Sequence, residues 1–194
     1  MAAVDDGAFA RGDRWAPIAA VVVAVPSQLE AVRVGRVRVD GTDGTVRVTA
    51  LLRSLGSLEG VRAILIDGAV VGGFNVLDLD ALRRATGVPI VAVTRRPPDF
   101  SRIASALRKW FPRSAARRLA LLRRHALRPV PTGGEPIFAA AAGCTTADAA
   151  LLVRRTAVRG YWPEPLRWAH LIASADRPRR APRRPRRSAS RPRR

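Results

Sequence analysis

Three apolar segments near the start of the chain have the pattern of β-strands. Residues 2–4 form a short apolar lead, and residues 18–25 (IAAVVVAV) are rich in β-branched side chains, which is typical of a buried strand. Residues 32–39 (VRVGRVRV) alternate apolar side chains with Arg or Gly, which predicts a strand with one solvated face. The turn sequence DGTDG at residues 40–44 then ends the strand. We therefore expect three leading antiparallel strands.

Strands and helices alternate in the rest of the chain. Residues 63–66 (AILI) predict a short buried strand that stops at the turn pair Asp67-Gly68. Thr145 and Asp148 have the spacing of a capping box. The other predicted elements are helices at 45–55, 76–84, 100–111, 117–124, 145–155 and 166–175, a buried strand at 90–93, a loop at 127–134 and an edge strand at 137–142. This order predicts an α/β fold in which βαβ units follow the three leading strands, giving a mixed sheet with flanking helices.

Length and charge predict one domain and an anionic partner. The 194 residues are 47% hydrophobic, which is enough for a single domain with its own core, over residues 1–176. The formal net charge of +20 indicates an anionic partner, with nucleic acid as the first candidate. Residues 177–194 hold ten arginines and no acid, in a Pro/Arg/Ser composition that predicts a disordered tail.

The sequence contains no feature of a secreted or membrane protein. Cys144 is the single cysteine, so a disulfide framework is excluded and a reducing compartment is compatible. Residues 1–9 (MAAVDDGAF) carry two acids where a signal peptide needs a basic region. The longest apolar run, residues 16–25, is too short to cross a bilayer. We expect a soluble cytoplasmic protein with no membrane association.

Several of the 15 acidic residues fall at predicted strand ends. Asp5 and Asp6 follow the first apolar segment, Asp67 ends the fourth strand, and Asp43 precedes the first helix. In a ribonuclease-H-like sheet the first and fourth strands are neighbours, so their terminal acids converge, and the second acid lies near the start of the first helix. Clustered carboxylates raise one another's pKa unless a cation compensates, and Mg²⁺ prefers oxygen ligands. Taken singly, each Asp-Gly pair is better explained as a turn, so the metal-site hypothesis depends on this convergence.

His170 is the second candidate for chemistry. Glu164, Arg167 and His170 recur every three residues and therefore share roughly one helix face. A histidine there is suited to proton transfer or to a phosphate contact, whereas the alternative is a surface ladder of Glu, Arg and His. His125 lies in an Arg-rich helix, and we expect it at the surface.

Five residues are candidates for substrate binding, namely Arg167 of the last predicted helix and the four that follow here. Gly73 lies in a glycine pair without a phosphate-loop signature, which favours close backbone approach at a turn. Phe74 and Asn75 would line a pocket, or else be a packed Phe and a helix-capping Asn. Arg95 follows a strand and would contact phosphate, or else form a solvated pair with Arg96.

Four motifs in order give the chain a resemblance to the endonuclease dU family, a mostly archaeal group related to endonuclease V. The resemblance covers about residues 3–175. The residues that carry it are Val4-Asp5-Asp6-Gly7 with Phe9; Asp40-Gly41-Thr42-Asp43; Ile66-Asp67-Gly68 with Gly73-Phe74-Asn75-Val76 and Asp78; and Pro163-Glu164-Pro165-Leu166-Arg167 with Ala169-His170-Leu171-Ile172-Ala173. This chain departs from the family's pattern at Ala8, Trp162 and Trp168 and in its arginine tail.

The resemblance implies a ribonuclease-H-like, Mg²⁺-dependent endonuclease (with Mn²⁺ as the alternative cation) that acts in DNA repair on deaminated bases, deoxyuridine above all. It implies that Asp5 or Asp6 is the acid of the first strand, that Asp67 is the later acid, and that His170 is the histidine of the final helix. The second carboxylate is a glutamate in endonuclease V and has no glutamate counterpart here, so Asp43 takes that place. The alternatives are a non-catalytic DNA- or RNA-binding protein on the same fold, and an RNA-associated factor bound through its tail.

Overall fold

The computed structural model describes residues 1–10, 12–56, 58–132 and 134–175, so the predicted tail at 177–194 lies outside the described residues. No helix in the described ranges is both long and apolar enough to cross a membrane. The elements of the described residues are β1 (Ala2–Asp6), β2 (Trp15–Ala24), β3 (Gln28–Arg38), α1 (Gly44–Arg53), β4 (Ile64–Asp67), β5 (Val70–Val71), β6 (Asn75–Val76), α2 (Leu79–Thr86), β7 (Ile90–Thr94), α3 (Phe100–Trp110), α4 (Ala115–Arg124), β8 (Arg128–Val130), β9 (Ile137–Ala142), α5 (Thr146–Thr156) and α6 (Glu164–Ala175).

A mixed seven-stranded sheet forms the centre of the molecule, with the strand order β3-β2-β1-β4-β7-β9-β8. The strands β1, β4 and β7 are parallel, whereas β2, β3, β8 and β9 pair antiparallel with their neighbours. The predicted mixed sheet with three leading antiparallel strands is therefore confirmed. The first and fourth strands are neighbours, and Val4 lies opposite Ile66.

The two faces of the sheet carry separate cores. Val4 and Ile66 pack with apolar side chains of α1 and α2 on one face. Ala3 and Leu65 pack with α5 and α6 on the other. Because successive strand residues alternate between faces, Asp5 belongs to the α6 face and Asp6 to the α1–α2 face.

Two predicted elements are corrected. The helix predicted at 76–84 begins only at Leu79, because the Asp78 side chain accepts a hydrogen bond from the Ala81 amide and so caps the helix there. The two residues Asn75 and Val76 instead pair with β5 in a small hairpin. The loop predicted at 127–134 contains β8, which makes β8 rather than β9 the edge strand.

The remaining helices and strands occur where the apolar patterns predict them, with ends shifted by a few residues. The predicted capping box is present, since Thr145 and Asp148 hydrogen-bond each other's backbone amides at the start of α5.

Candidate active site

The carboxyl ends of β1 and β4 bring two aspartates together. The register that pairs Val4 with Ile66 places Asp5 beside Asp67 at the next position. Asp5 is only 4% exposed. The two carboxylates interact electrostatically, so the predicted convergence of acids from the first and fourth strands is present in the structure.

Helix α6 adds His170 to the pair. It packs against β1 and β2 through its buried side chains, among them Leu166, Ala169 and Ala173. The Nδ1 atom of His170 lies 2.9 Å from Oδ2 of Asp5, and the imidazole is 59% exposed. His170 therefore pairs with an acid of β1, while the Glu164–Arg167 part of the surface ladder is also present, at 3.2 Å between Nε and Oε2.

Asp6 extends the cluster toward a glycine loop. Its Oδ2 accepts a hydrogen bond of 2.6 Å from the amide of Gly72, whereas Asp5 points to His170 on the other face. The structure thus separates the two neighbouring acids, since Asp5 pairs with the histidine and Asp6 holds the loop that follows β5.

Burial and mutual repulsion make the cluster costly to ionise. Burial, and then the charges of Asp67 and Asp6, raise the pKa of Asp5 to about 8. Burial also raises the pKa of Asp6, against the hydrogen bond from Gly72, and that of Asp67, against the charge of Arg95. Negative charge collects here without enough positive charge to balance it, which is the electrostatic setting of a cation site.

Arg95 lies at the rim of this cluster. Its Nη1 is 3.9 Å from Oδ2 of Asp67, and its guanidinium carbon lies 3.8 Å from the centroid of the Trp162 ring. Stacking on an indole ring orients a guanidinium and leaves its edge able to bind an anion. The arrangement suits the predicted phosphate contact better than a solvated pair with Arg96.

Asp43 is not brought into the cluster. Its carboxylate accepts hydrogen bonds from the Asn75 amide at 2.7 Å, from the Arg38 backbone at 3.3 Å and from the Arg47 side chain. Burial alone would raise the pKa of Asp43, but the hydrogen bonds from Asn75 and Arg47 lower it. Its predicted role as the second metal ligand finds no support in these contacts, which instead hold the turn before α1.

Asn75 is buried and contributes to the same turn. Its side chain donates to the carbonyl of Arg38 at 3.0 Å and accepts from the amide of Gly44 at 2.8 Å. It therefore satisfies the first amide of α1, whereas the helix-capping alternative placed it at the helix predicted at 76–84, which Asp78 caps instead.

Asp40 is hydrogen-bonded to the loop beside the cluster, and the sequence reasoning missed it. The Asp40 amide donates to the carbonyl of Gly72, whose own amide donates to Asp6. Its Oδ1 accepts from the amide of Phe74 at 2.8 Å. The backbone of Asp40 has φ +55°, a left-handed conformation that aspartate tolerates better than most residues. In the sequence, the Asp-Gly turn pair is the only sign of this conformation.

A cavity of about 720 Å³ opens beside the acids. It is adjacent in sequence to the cluster, because Gly68 directly follows Asp67 and Thr94 directly precedes Arg95. Its lining is mostly apolar and aromatic and includes Asp40, Gly68, Gly73, Phe74, Thr94, Phe100, Ile103, Trp110, Phe111, Leu122 and His125. Gly73 and Phe74 are among the lining residues, and Phe74 also packs edge-on against Phe111, so it has features of both alternatives considered for it.

His125 lines this cavity, and Arg118 binds two loops that contribute to its lining. The prediction of a surface position for His125 is wrong, since the side chain is half-buried and its Nε2 lies 3.2 Å from Oδ2 of Asp80. Arg118 is 6% exposed and donates to the carbonyls of Asp40 and Phe74. It thereby joins α4 to the two loops at the cavity mouth.

The carboxylate oxygens of the cluster are the type of ligand that a hard divalent cation prefers. Asp5 and Asp67 offer carboxylate oxygens at the same end of the sheet, and burial raises the pKa of both, so a bound cation would stabilise their ionised forms. No group of three or more Asp, Glu, His or Cys side chains within the described ranges is assembled into a complete metal site. The residues therefore fit an ion that takes two carboxylates and completes its shell with water and substrate oxygens.

Solved structures establish the fold. A protein of unknown function from Archaeoglobus fulgidus superposes with a TM-score of 0.79 at 29% identity, covering 90% of this chain and 96% of that one. Endonuclease V of Ciona intestinalis, solved with an inosine-containing DNA, superposes with a TM-score of 0.57 at 12% identity and covers 90% and 84% of the two chains. Endonuclease V has a ribonuclease-H-like fold, so the predicted fold class is confirmed.

Sequence comparison identifies the family. A protein designated UPF0215 from Methanothermobacter thermautotrophicus is 37% identical over 172 residues, which cover 88% of this chain and 84% of the relative. The profile of the family described as endonuclease dU matches residues 1–176, which is nearly the whole sequence outside the arginine tail. With the acid cluster at the sheet edge, these matches establish that the chain belongs to the endonuclease dU family.

Proposed function

We propose that the protein is a divalent-cation-dependent endonuclease that cleaves DNA at deaminated bases, with deoxyuridine as its preferred lesion. The observation that carries the proposal is the convergence of Asp5 and Asp67 at the ends of two parallel strands, with His170 bonded to Asp5. Membership of the endonuclease dU family and the fold shared with endonuclease V support the same chemistry.

Asp5 and Asp67 are the residues that would hold a divalent cation at this end of the sheet. When bound, Mg²⁺, or Mn²⁺ as the alternative, supplies Lewis acidity and an activated water for phosphodiester hydrolysis. Asp5 and Asp67 would be its protein ligands, and Asp6 would add negative charge from the adjacent position. Arg95, held on Trp162, binds a non-bridging phosphate oxygen.

His170 transfers a proton at the leaving oxygen. Its Nδ1 is held by Asp5, which fixes the orientation of the ring and leaves Nε2 on the exposed side of the imidazole. Proton transfer from a positioned histidine stabilises the leaving alkoxide. Arg167, three residues earlier on α6 and paired with Glu164, is assigned in this proposal to the flanking sugar–phosphate backbone.

The damaged base enters the cavity beside Asp67. Enzymes that act at a single base commonly extrude it from the stack into a pocket, and about 720 Å³ lies within the usual range for ligand sites. Phe74, Trp110 and Phe111 provide aromatic surface for stacking, and Gly73 allows close approach of the backbone. Asn75 contributes indirectly, by holding the turn that shapes the cavity mouth.

A second candidate is a nucleic-acid-binding protein that keeps the fold without catalysis. The incomplete metal site within the described ranges, together with the involvement of Asp43 in the turn before α1, favours it. Such a protein would bind DNA or RNA equally well with or without divalent cation.

Cleavage assays on defined oligonucleotides separate the two. Labelled DNA carrying uracil, hypoxanthine or no lesion, and RNA of matching sequence, are incubated with Mg²⁺, with Mn²⁺ or with EDTA. We expect cation-dependent nicking at uracil in DNA that Asp67→Asn abolishes and that Glu135→Gln, at an exposed loop residue, retains. Binding without cleavage under both cations would overturn the nuclease proposal and leave the second candidate.

A further inference from the structure

Three arginines converge on one tryptophan away from the acid cluster. The guanidinium carbon of Arg47 lies 4.6 Å from the centroid of the Trp15 ring, and those of Arg38 and Arg14 lie 5.6 and 5.7 Å from it. These residues come from three parts of the chain, namely the residue before β2, the end of β3 and the second turn of α1. We call this group the Trp15 cluster.

The charge of the Trp15 cluster is poorly balanced. Arg47 pairs with Asp43, while no acidic side chain in the described part of the chain forms an ion pair with Arg14 or Arg38. Like charges held within a few ångströms of one ring repel one another unless an anion lies between them. The indole surface lowers the cost of ordering the side chains, because stacked guanidinium planes keep their edges exposed for hydrogen bonds.

The cluster lies at the same end of the sheet as the catalytic acids. Trp15 is directly opposite Arg38 in the β2–β3 pair, and Asp6 is opposite Ile18 in the β1–β2 pair. Trp15 is three residues farther along β2 than Ile18, so its backbone lies roughly 11 Å from that of Asp6, one strand across. A B-form strand advances about 3.4 Å per nucleotide, so this distance corresponds to about three nucleotides.

We propose that Arg14, Arg38 and Arg47, ordered on Trp15, form a second contact site for the sugar–phosphate backbone of the nucleic-acid substrate, about three nucleotides from the cleaved bond. The inference rests on the proposed function, because it takes the acid cluster as the position of the scissile phosphate. The site makes no contact with the bases, and it fixes the position of the nucleic-acid strand relative to the acids.

The position of β3 at the edge of the sheet explains only part of the Trp15 cluster. β3 is an edge of the sheet, and charged side chains on an edge strand deter pairing with other chains. That explains an arginine at position 38, but not the convergence of Arg14 and Arg47, from outside β3, on the same ring.

Salt-dependent binding tests the site without relying on cleavage. Affinity for a uracil-containing and an undamaged duplex is measured by fluorescence anisotropy in EDTA over a range of salt concentrations, for wild type, Arg14→Ala, Arg38→Ala and Trp15→Leu. Each arginine variant should lower the slope of log K against log salt by about one, equally for both duplexes. Arg33→Ala, which removes the same charge from the middle of β3, five residues before Arg38, should keep the wild-type slope if the effect is local.

Substrate truncation locates the contact. Uracil oligonucleotides that end about one or about six nucleotides beyond the lesion, on either side, are compared for wild type and the Arg14→Ala/Arg38→Ala variant. Wild type should lose affinity when one particular side is shortened, and the double variant should lose none on that side. Equal slopes for wild type and both arginine variants, or an identical effect of Arg33→Ala, would overturn the inference.

The two proposals fail separately in these measurements. A changed slope with no cleavage under either cation would contradict the nuclease and leave the backbone contact standing. Lesion-dependent cleavage with unchanged slopes would contradict the backbone contact and leave the nuclease proposal standing. Because Arg14 and Arg38 are exposed, their variants remain informative even if Trp15→Leu lowers the thermal stability.

Discussion

Nδ1 of His170 lies 2.9 Å from Oδ2 of Asp5, although 165 residues separate the two in the chain. The contact exists because α6 packs across β1 and β2, and the buried apolar side of that helix leaves His170 over the end of β1. The position of α6 therefore controls the orientation of the imidazole at the acid cluster.

Replacement of His170 should slow cleavage without weakening binding. His170→Gln removes the proton donor, and we expect a loss of roughly 10²- to 10⁴-fold in the single-turnover rate on uracil-containing DNA with nearly unchanged affinity. The matched control is Leu171→Ala, at an exposed neighbour on the same helix. An unchanged rate for His170→Gln would show that proton transfer at this atom is not part of the reaction.

A single methyl group at Gly7 should displace α6. Gly7 follows β1, and a Cβ there would overlap the carbonyl of Ala173 and lie 2.9 Å from Cγ of Pro17. We expect Gly7→Ala to cost about 1–3 kcal/mol of unfolding free energy, because backbone has to move. The cleavage rate should also fall in conditions where the variant is fully folded, since His170 moves with the helix.

Gly134→Ala is the control for that substitution, because nothing lies within 4 Å of a Cβ at that position. Chemical denaturation and single-turnover cleavage are measured on both variants. If Gly7→Ala loses stability but keeps the wild-type rate when folded, the packing of α6 against Gly7 does not govern the catalytic geometry.

The metal-free protein should lose stability as pH rises from about 4 to 8. The pKa of Asp5 is raised by burial from its ordinary value of 3.8 to about 8, so the folded state keeps a proton that the unfolded state releases. The stabilising contribution is complete below the unfolded pKa and is lost as pH passes the folded one. Thermal melting in EDTA across this range should therefore show a falling Tm, and Asp5→Asn should make the curve flatter.

A divalent cation should reverse this dependence. An ion bound at Asp5 and Asp67 stabilises the ionised carboxylates, so Mg²⁺ should raise the Tm more at pH 8 than at pH 5. The comparison is made between wild type and Asp67→Asn at equal ionic strength. A shift of equal size in both proteins would mean that the cation acts elsewhere.

The convergence of Asp5 and Asp67 could be predicted because it depends on strand order alone. Parallel neighbours end at the same sheet edge, and turn pairs in the sequence mark both ends. The distinction between Asp5 and Asp6 could not be predicted, since it depends on which face α6 covers, and adjacent strand residues face opposite ways. The metal-ligand role of Asp43 stays a prediction that its contacts do not support, and it is Asp40, with its left-handed backbone, that contacts the Gly72 loop.

The cavity could not be predicted from the spacing of apolar residues in the sequence. Its walls come from α3, from α4, from the end of β7 and from the loops around the two-residue strands β5 and β6, which meet only in the folded chain. Strands of two residues are too short to show a period in the sequence. His125 and Arg118 belong to an arginine-rich helix in which no local feature marks a buried side chain. Only the tertiary contacts of α4 with the Asp40 and Phe74 loops identify them.

Arg118 should be needed for both stability and recognition of the lesion. Its guanidinium donates to the carbonyls of Asp40 and Phe74 and to Oγ of Ser114, and its carbon lies 4.4 Å from the centroid of the Phe111 ring. Arg118→Met keeps most of the apolar stem but leaves two partly buried carbonyls without their donor. We expect a loss of about 2–4 kcal/mol in unfolding free energy, measured by denaturant titration.

The same substitution should reduce discrimination between uracil and normal DNA, because the loops at the cavity mouth lose their tie to α4. The ratio of affinities for uracil-containing and undamaged duplexes should fall, while affinity for the undamaged duplex changes little. Arg117→Ala is the matched control, since it removes the same charge from an exposed position one residue earlier in α4. If Arg118→Met and Arg117→Ala bind both duplexes alike, Arg118 supports the fold and has no part in selecting the base.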